Sequence, residues 1–258
     1  MVMDENFQVI EVIGLSAGYN REEIIKNINF SVGRGEIFVV MGRSGCGKST
    51  LLKHMIGLYS PISGDIIING RSISRSQGEE KKKIMRSIGV LYQSGALFNS
   101  YTIAENVALP LEEFTDYSPA KIAETVREKL RLVGLEGAEK LMPYQCSGGM
   151  KKRAGLARAM ALDPEILFFD EPSAGLDPVT AAKLDRLIID LRERLQTTMV
   201  IVSHELDSIY AIADRVMMLD PDEKTAIAIG APYELREKSA NKAVREFFTR
   251  DGLISKIR

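Results

Sequence analysis

The sequence predicts an α/β fold with a largely parallel sheet and helices on both of its faces. Three features predict it. An apolar strand runs into a glycine-rich loop and then a helix between residues 37 and 56, a mostly helical stretch occupies about residues 94–161, and alternating strands and helices resume after it. With 258 residues, 45% of them hydrophobic, the chain can bury a large core, which excludes disorder as its main state.

The elements follow from local pattern. Gln8-Val9-Ile10-Glu11-Val12-Ile13 alternates, Ile24 to Val32 reads as a second strand, and Ile37-Phe38-Val39-Val40-Met41 is short and wholly apolar, as a buried central strand is. A helical pattern runs from Lys48 to Ile56, and the turn Ser60-Pro61-Ile62-Ser63-Gly64 leads into a strand from Asp65 to Asn69. Ile88 to Tyr92 is a further strand. Ser118 caps a helix with Pro119 at its first position; Ile122, Val126, Leu130 and Val133 share one face before Gly134 ends it. Ile166 to Phe169 and Met199 to Val202 are strands, and between them Asp177-Pro178 opens a helix with Leu184, Leu187, Ile188, Leu191 and Leu195 on one stripe. No internal repeat or low-complexity linker divides the chain.

Composition removes several function classes. The 34 Lys plus Arg against 35 Asp plus Glu leave a net charge of −1, without the basic excess of a dedicated nucleic-acid binder, so no nucleic acid is expected as a partner. Apolar runs such as Ile166-Leu167-Phe168-Phe169 fall far short of the roughly 20 residues of a membrane-spanning helix, so the chain is not expected to cross a bilayer itself. Met1-Val2-Met3-Asp4-Glu5-Asn6 lacks the basic region, apolar core and cleavage site of a secretion signal, which makes a cytosolic location the expectation. Cys46, Cys146, His54 and His204 have no partners at metal-ligand spacing, so neither a disulfide nor a zinc site is expected.

Three segments carry chemistry. Gly42-Arg43-Ser44-Gly45-Cys46-Gly47-Lys48-Ser49 fits G-x-x-x-x-G-K-[ST] and stands where that loop works, after a buried strand and at the start of a helix. Its glycines let successive N–H groups converge on phosphate oxygens, Lys48 is placed for the β- and γ-phosphates, and Ser49 for Mg²⁺. Ile166-Leu167-Phe168-Phe169-Asp170-Glu171 is an apolar strand ending in two carboxylates. Alone these are helix-capping residues as readily as ligands; beside a phosphate loop, Asp170 is the candidate for the metal and Glu171 for the attacking water. Ser147-Gly148-Gly149 precedes a helix from Met150 to Ala161 that carries Lys151, Lys152, Arg153 and Arg158. It is either an ordinary N-cap or, with a nucleotide already inferred, a second phosphate-directed helix end.

The phosphate loop, Gln93 after its strand, Ser147-Gly148-Gly149, Asp170-Glu171, Ser173-Ala174-Gly175-Leu176-Asp177 and His204 occur in the order and spacing of an ATP-binding cassette (ABC) ATPase, and the chain resembles that family over nearly its whole length. The resemblance implies an ABC-type P-loop core with an N-terminal antiparallel β-subdomain, forming one domain over residues 1–258 with a helical subdomain inserted at about 94–161. It implies ATP and Mg²⁺ as cofactors. Nucleotide binding then falls to Tyr19, stacking on adenine, to Gly42, Arg43, Ser44, Gly45, Cys46, Gly47, Lys48, Ser49 and Thr50, and to Ser147, Gly148, Gly149 and Asp177. The metal falls to Ser49, Gln93 and Asp170. Catalysis falls to Glu171 as the base, with His204 at the γ-phosphate, Gln93 and Lys48. In the family two cassettes face each other, each closing the other's ATP site with its Ser-Gly-Gly segment, and Asp177 corresponds to the residue that joins the two half-sites.

Closer segments narrow the resemblance. Tyr92-Gln93-Ser94-Gly95-Ala96-Leu97-Phe98, Asn106-Val107-Ala108-Leu109-Pro110-Leu111 and Cys146-Ser147-Gly148-Gly149-Met150-Lys151-Lys152-Arg153 are similar to the ATPase subunits of Mla-type bacterial lipid transporters. That implies a homodimer of ATPase subunits, an integral-membrane permease and an MCE-domain lipid-binding protein as partners, with the chain peripheral on the cytoplasmic side of the inner membrane. The alternatives are a soluble ABC scaffold of the iron-sulfur assembly type, or the ATPase of an importer or exporter for another substrate.

The chain departs from the family's Leu-Ser-Gly-Gly-Gln at Cys146 and Met150, and Met150 lacks the amide of the glutamine. Cys46, inside the phosphate loop, is a small filler whose alkylation or oxidation is expected to block ATP. Glu79-Glu80-Lys81-Lys82-Lys83 reads as a solvated helix face, and His54 as structural. Ala243, Val244, Phe247 and Phe248, at helical spacing near the C-terminus, pack either on the chain's own core or on a second ATPase.

Overall fold

A computed structural model describes residues 8–20 and 22–249; the Met1–Asn6 segment lies outside the described residues. The chain opens with β1 (Gln8–Tyr19), β2 (Glu22–Gly33), β3 (Ile37–Gly42), α1 (Lys48–Met55), β4 (Ser63–Ile68) and β5 (Arg71–Ser72). Next come α2 (Gly78–Arg86), β6 (Ile88–Leu91), α3 (Ile103–Phe114), α4 (Pro119–Leu132), α5 (Gly148–Ala159), β7 (Ile166–Asp170) and α6 (Pro178–Leu195). It ends with β8 (Thr198–Val202), α7 (Leu206–Ile212), β9 (Arg215–Asp220), β10 (Thr225–Gly230), α8 (Pro232–Lys238) and α9 (Lys242–Thr249). Contacts divide it into two units, residues 1–76 with 200–258, and residues 77–199.

The first unit holds two sheets. One is antiparallel with the order β2-β1-β4-β5. β1 does not keep the alternation its sequence predicts: Val9 and Ile10 are both buried where the register shifts between Gln8 and Ile10, and Ile13 is half exposed where it shifts again between Val12 and Leu15 around Gly14, which takes φ +55. In the other sheet the strands run β10-β9-β3-β8. β3 pairs in parallel with β9 from Phe38↔Arg215 to Gly42↔Leu219, and Ile37 to Met41 are all but fully buried. A strand covered on both faces has no solvent side for polar residues, which is why its sequence is an unbroken apolar run.

The C-terminal question resolves within this unit. Val244 and Phe248 of α9 are buried, and the Tyr210 ring of α7 packs 5.8 Å from that of Phe248. The apolar face of α9 thus lies on the chain's own core.

In the second unit β7 pairs in parallel with β6, from Ile88↔Ile166 to Leu91↔Phe169, and α2 and α5 pack against β6. α4 begins as its sequence predicts, with Ser118 Oγ accepting from the Lys121 N–H and Pro119 in the first turn. α3 carries a reciprocal cap: Glu105 N–H donates to Thr102 Oγ1 while the Glu105 carboxylate accepts from the Thr102 N–H. α6 starts at Asp177-Pro178 as read, but Leu195 does not complete its buried stripe; it is 39% exposed in the last turn, where Gln196 turns left-handed and ends the helix. The acidic and basic residues of α2 are exposed, with Lys82 paired to Glu79 at 3.0 Å.

Packing is close where β6 meets α5. A Cβ on Gly89 would fall 2.1 Å from the Ala159 carbonyl oxygen and 2.8 Å from Leu167 Cδ2. Neither backbone can retreat, so Gly89→Ala is expected to destabilise the chain by about 1–3 kcal/mol, read as a lowered midpoint of urea unfolding.

Candidate functional site

The phosphate loop leaves β3 at Gly42 and enters α1 at Lys48. Gly42 takes φ +146 and Gly47 φ +100; a Cβ on Gly47 would lie 2.4 Å from Ile25 Cγ2, so the loop closes this tightly only with glycine there. Arg43, Ser44 and Gly45 are exposed at its rim, while Cys46, Gly47 and Lys48 are buried. The Lys48 ammonium donates to the Gly42 oxygen at 2.9 Å and to the Arg43 oxygen at 3.2 Å, which holds it along the loop that the sequence assigns to phosphates. Thr50 is buried in the first turn of α1, and Ser49 is exposed beside it.

Tyr19 ends β1 in the same unit. Its ring meets Tyr59 edge-on at 5.1 Å, and the Lys53 ammonium lies 5.9 Å from its centroid. His54 is fully buried, with Nδ1 2.7 Å from the Thr50 oxygen. A carbonyl oxygen only accepts, so Nδ1 carries the proton, and the residue has the structural role its sequence suggests. His204 follows β8 with an exposed side chain, Nε2 3.7 Å from a Glu205 carboxylate oxygen.

In the second unit, Asp170 closes β7 and Glu171 begins the turn after it. Glu171 is buried and takes φ +48, a left-handed conformation unusual for a residue with a Cβ. Gln93 is exposed at the end of β6. Ser147 caps α5, its Oγ accepting from the Met150 N–H at 3.2 Å. Asp177 caps α6, accepting from the Val179 and Thr180 N–H groups, and bonds from Thr180 hold its carboxyl below the ordinary aspartate range. The two caps are neighbours: a Cβ on Gly149 would sit 2.8 Å from Thr180 Cγ2, and one on Gly148 3.7 Å from Leu176 Cδ2. Two exposed helix starts thus open side by side; at α6 Pro178 has no N–H and Asp177 takes the next two, whereas at α5 the Ser147 side chain takes only that of Met150.

Sequence reasoning missed what three polar residues of this unit do, the buried Lys152 and Asn106 and the half-buried Arg158. Lys152 donates to the backbone oxygens of Glu171 (3.3 Å), Pro172 (2.5 Å) and Ala174 (2.7 Å). Arg158 donates to the oxygens of Gly95 and Ala96, in the loop that follows Gln93, at 2.9 and 2.8 Å. Asn106, fully buried, bonds the Phe98 N–H and the oxygens of Phe98, Tyr101 and Thr102. In the sequence Lys152 and Arg158 are two cations among several on a helix, with nothing to separate them from the solvated ones.

The sequence pattern of the ABC transporter family matches residues 25–174, more than half of the chain. The chain belongs to the ABC transporter family. This ABC chain is 42% identical over 238 residues to a Mycobacterium tuberculosis protein named as a probable ribonucleotide transport ATP-binding protein, mkl, a match over 92% of the chain; it spans 66% of that protein's length, just under two thirds. It is 40% identical over 240 residues to the Haemophilus influenzae intermembrane phospholipid transport system ATP-binding protein MlaF, covering 93% of this chain and 90% of that one. Over 230 residues it is 40% identical to the Escherichia coli K12 MlaF, covering 89% and 84%.

Two solved ABC structures share the fold. Clostridium perfringens cbiO1, part of the ABC transporter complex cbiONQ, superposes with a TM-score of 0.80 at 28% identity, covering 96% of this chain and 99% of that one. The ATP-binding cassette MJ0796, solved as a dimer in a post-hydrolysis state with ADP and Pi, gives 0.77 at 29% identity, covering 86% and 98%. The fold is that of ABC ATPases, and among the described residues no helix is long and apolar enough to cross a membrane.

The expected vulnerability of Cys46 does not fit its surroundings. The side chain is 1% exposed, and burial pushes its thiol up against the opposing pull of Lys48. A buried thiol held protonated is a poor nucleophile. At pH 8, N-ethylmaleimide is expected to label Cys46 of the native chain at least about tenfold more slowly than that of the urea-unfolded chain, with mass spectrometry of the peptides as the readout.

Proposed function

We propose that the chain hydrolyses ATP as one of two identical cassettes and drives phospholipid transport between bacterial membranes, seated on the cytoplasmic side of the inner membrane against a permease that works with an MCE-domain lipid-binding protein. What carries the ATPase part is the presence in one chain of a glycine-closed phosphate loop and, in its other unit, an exposed Ser147-Gly148-Gly149 helix start. One chain has a single copy of each. Two chains related by a two-fold axis bring each loop to the other's helix start and close two ATP sites.

The residues present suit ATP and its metal. The N–H groups at the start of α1 and the Lys48 ammonium take the β- and γ-phosphates, Tyr19 offers an aromatic face to adenine, and His204 reaches the γ-phosphate. Ser49 offers a hydroxyl, Asp170 a carboxylate and Gln93 an amide oxygen, the hard oxygen donors that Mg²⁺ prefers, and the ion would neutralise charge on the β- and γ-phosphates. Glu171 orients the attacking water and takes its proton. Asp177, beside the Ser147 cap, links the half-sites across the dimer.

Similarity to MlaF over nearly the full length of both chains supports the lipid assignment. The mycobacterial relatives carry a ribonucleotide-transport name, but the chain spans a smaller share of their length. Met150 in place of the family glutamine belongs to the lipid-transporter-like segment around α5.

Glu171→Gln is expected to leave ATP binding within about twofold of wild type while lowering kcat by about 10²-fold or more, the scale of a lost general base, and to trap an ATP-bound dimer on size-exclusion chromatography. Persistent turnover would remove Glu171 from its role. For the transport assignment, the tagged chain purified from native membranes in mild detergent is expected to bring down a multi-spanning permease and an MCE-domain protein, identified by mass spectrometry. Recovery of soluble partners alone would favour the scaffold alternative.

A further inference from the structure

The turn after β7 poses a problem of physical chemistry. Glu171 takes a left-handed conformation that costs a residue with a Cβ free energy and persists only where its surroundings over-determine it. The oxygens of Glu171 and Pro172 are buried and that of Ala174 partly so, and each needs a donor; the Ala174 N–H gives one to Glu171 at 3.2 Å. One side chain meets all three. The Lys152 ammonium, 5% exposed, donates to the oxygens of Glu171, Pro172 and Ala174, using all three of its protons. An ammonium left in such a place is held there by its bonds, since burial favours its neutral form and pushes it below the ordinary lysine range, with the Glu171 carboxylate pulling the other way.

Lys152 also sits where two tasks meet. It lies five positions after Ser147 on the unbroken helix α5, about 7–8 Å along the axis from the phosphate-directed end. At the other end of the same helix, Arg158 holds the loop after Gln93, and Gly155 lets that loop approach: a Cβ there would fall 2.9 Å from the Gly95 oxygen. A rigid helix with the two loops bonded to its cations cannot shift without taking them along.

We propose that Lys152 is the positioning residue that holds the Glu171 turn in its hydrolysing conformation and ties it to α5, so that the base of one ATP site is set by the helix whose N-terminus serves the other. This rests on the ATPase function proposed above. Lys152 does not touch substrate; it acts through Glu171, and that separates it from a residue that merely keeps the chain folded.

A double-mutant cycle on the full chain tests it, with MgATP as the probe and single-turnover hydrolysis as the readout for the slow variants. Lys152→Met is expected to lower kcat about 10- to 100-fold, the cost of a misplaced catalytic group, with the KM for ATP within about twofold of wild type. In the Glu171→Gln background the same substitution is expected to change the rate by less than about twofold, because the group it positions is already gone, and the double variant is expected still to form the ATP-trapped dimer. Lys152→Met with wild-type kcat would overturn the proposal while leaving the ATPase function intact. An equal further loss on the Glu171→Gln background, or loss of ATP-dependent dimers in the double variant, would also overturn it, marking Lys152 as a folding residue. Wild-type turnover in Glu171→Gln itself would overturn the assignment of Glu171, and the positioning role with it.

Discussion

Backbone carbonyls that leave water at sharp turns must be given donors, and in the 77–199 unit that requirement is met by cations of one helix. Lys152 satisfies three oxygens of the turn after β7, and Arg158 two oxygens of the loop after β6. Each bond is charge-assisted, and those from Lys152 to the Glu171 and Pro172 oxygens are also buried, which makes them stronger than their neutral counterparts on a surface. Without them the turn would keep its Ala174 N–H to Glu171 oxygen bond but lose the side-chain donor to the Pro172 and Ala174 oxygens, and the loop at Gly95 would lose its side-chain bonds to α5. Asn106 does the same for residues 98–102 with a neutral amide. The loops that carry the candidate chemistry are thereby made part of the packed body, although they contain few apolar residues of their own.

The phosphate loop is solved differently. Its conformation comes from glycines that no other residue can replace without collision, at Gly42 against the Leu219 oxygen and at Gly47 against Ile25. Its lysine is stored along the loop by the oxygens of Gly42 and Arg43, bonds that a phosphate can exchange for stronger ones. Cys46 fills the space under the loop as a buried thiol. The pieces are local in sequence, eight consecutive residues after a strand, and the chemistry is legible there because the physics is local too.

Membership of the ABC transporter family follows from the same segments, and relatives named for phospholipid transport match over nearly the whole chain. Departures from the family pattern fall at Cys146 and Met150, on either side of Ser147-Gly148-Gly149. Cys146 is buried with its Sγ 3.6 Å from the Met142 oxygen, so it packs inward, while the cap that matters for an anion is made by Ser147 and backbone N–H groups. The Met150 departure changes only a side chain, and its own N–H still donates to Ser147 Oγ.

By itself the sequence determined the elements whose cause is local: the apolar run of β3, the phosphate loop, the Ser118, Ser147 and Asp177 caps, and the order of motifs that marks the family. It misplaced Leu195 on the buried stripe of α6 and did not show how far Cys46 is shielded, because exposure depends on what lies across from a residue and not on its neighbours in the chain. It named Lys152, Arg158 and Asn106 without showing what they hold. A lysine on a helix has the same pattern whether it faces water or three carbonyls nineteen to twenty-two positions away. Only the tertiary structure decides that, because a long-range hydrogen bond needs geometry that no spacing rule encodes.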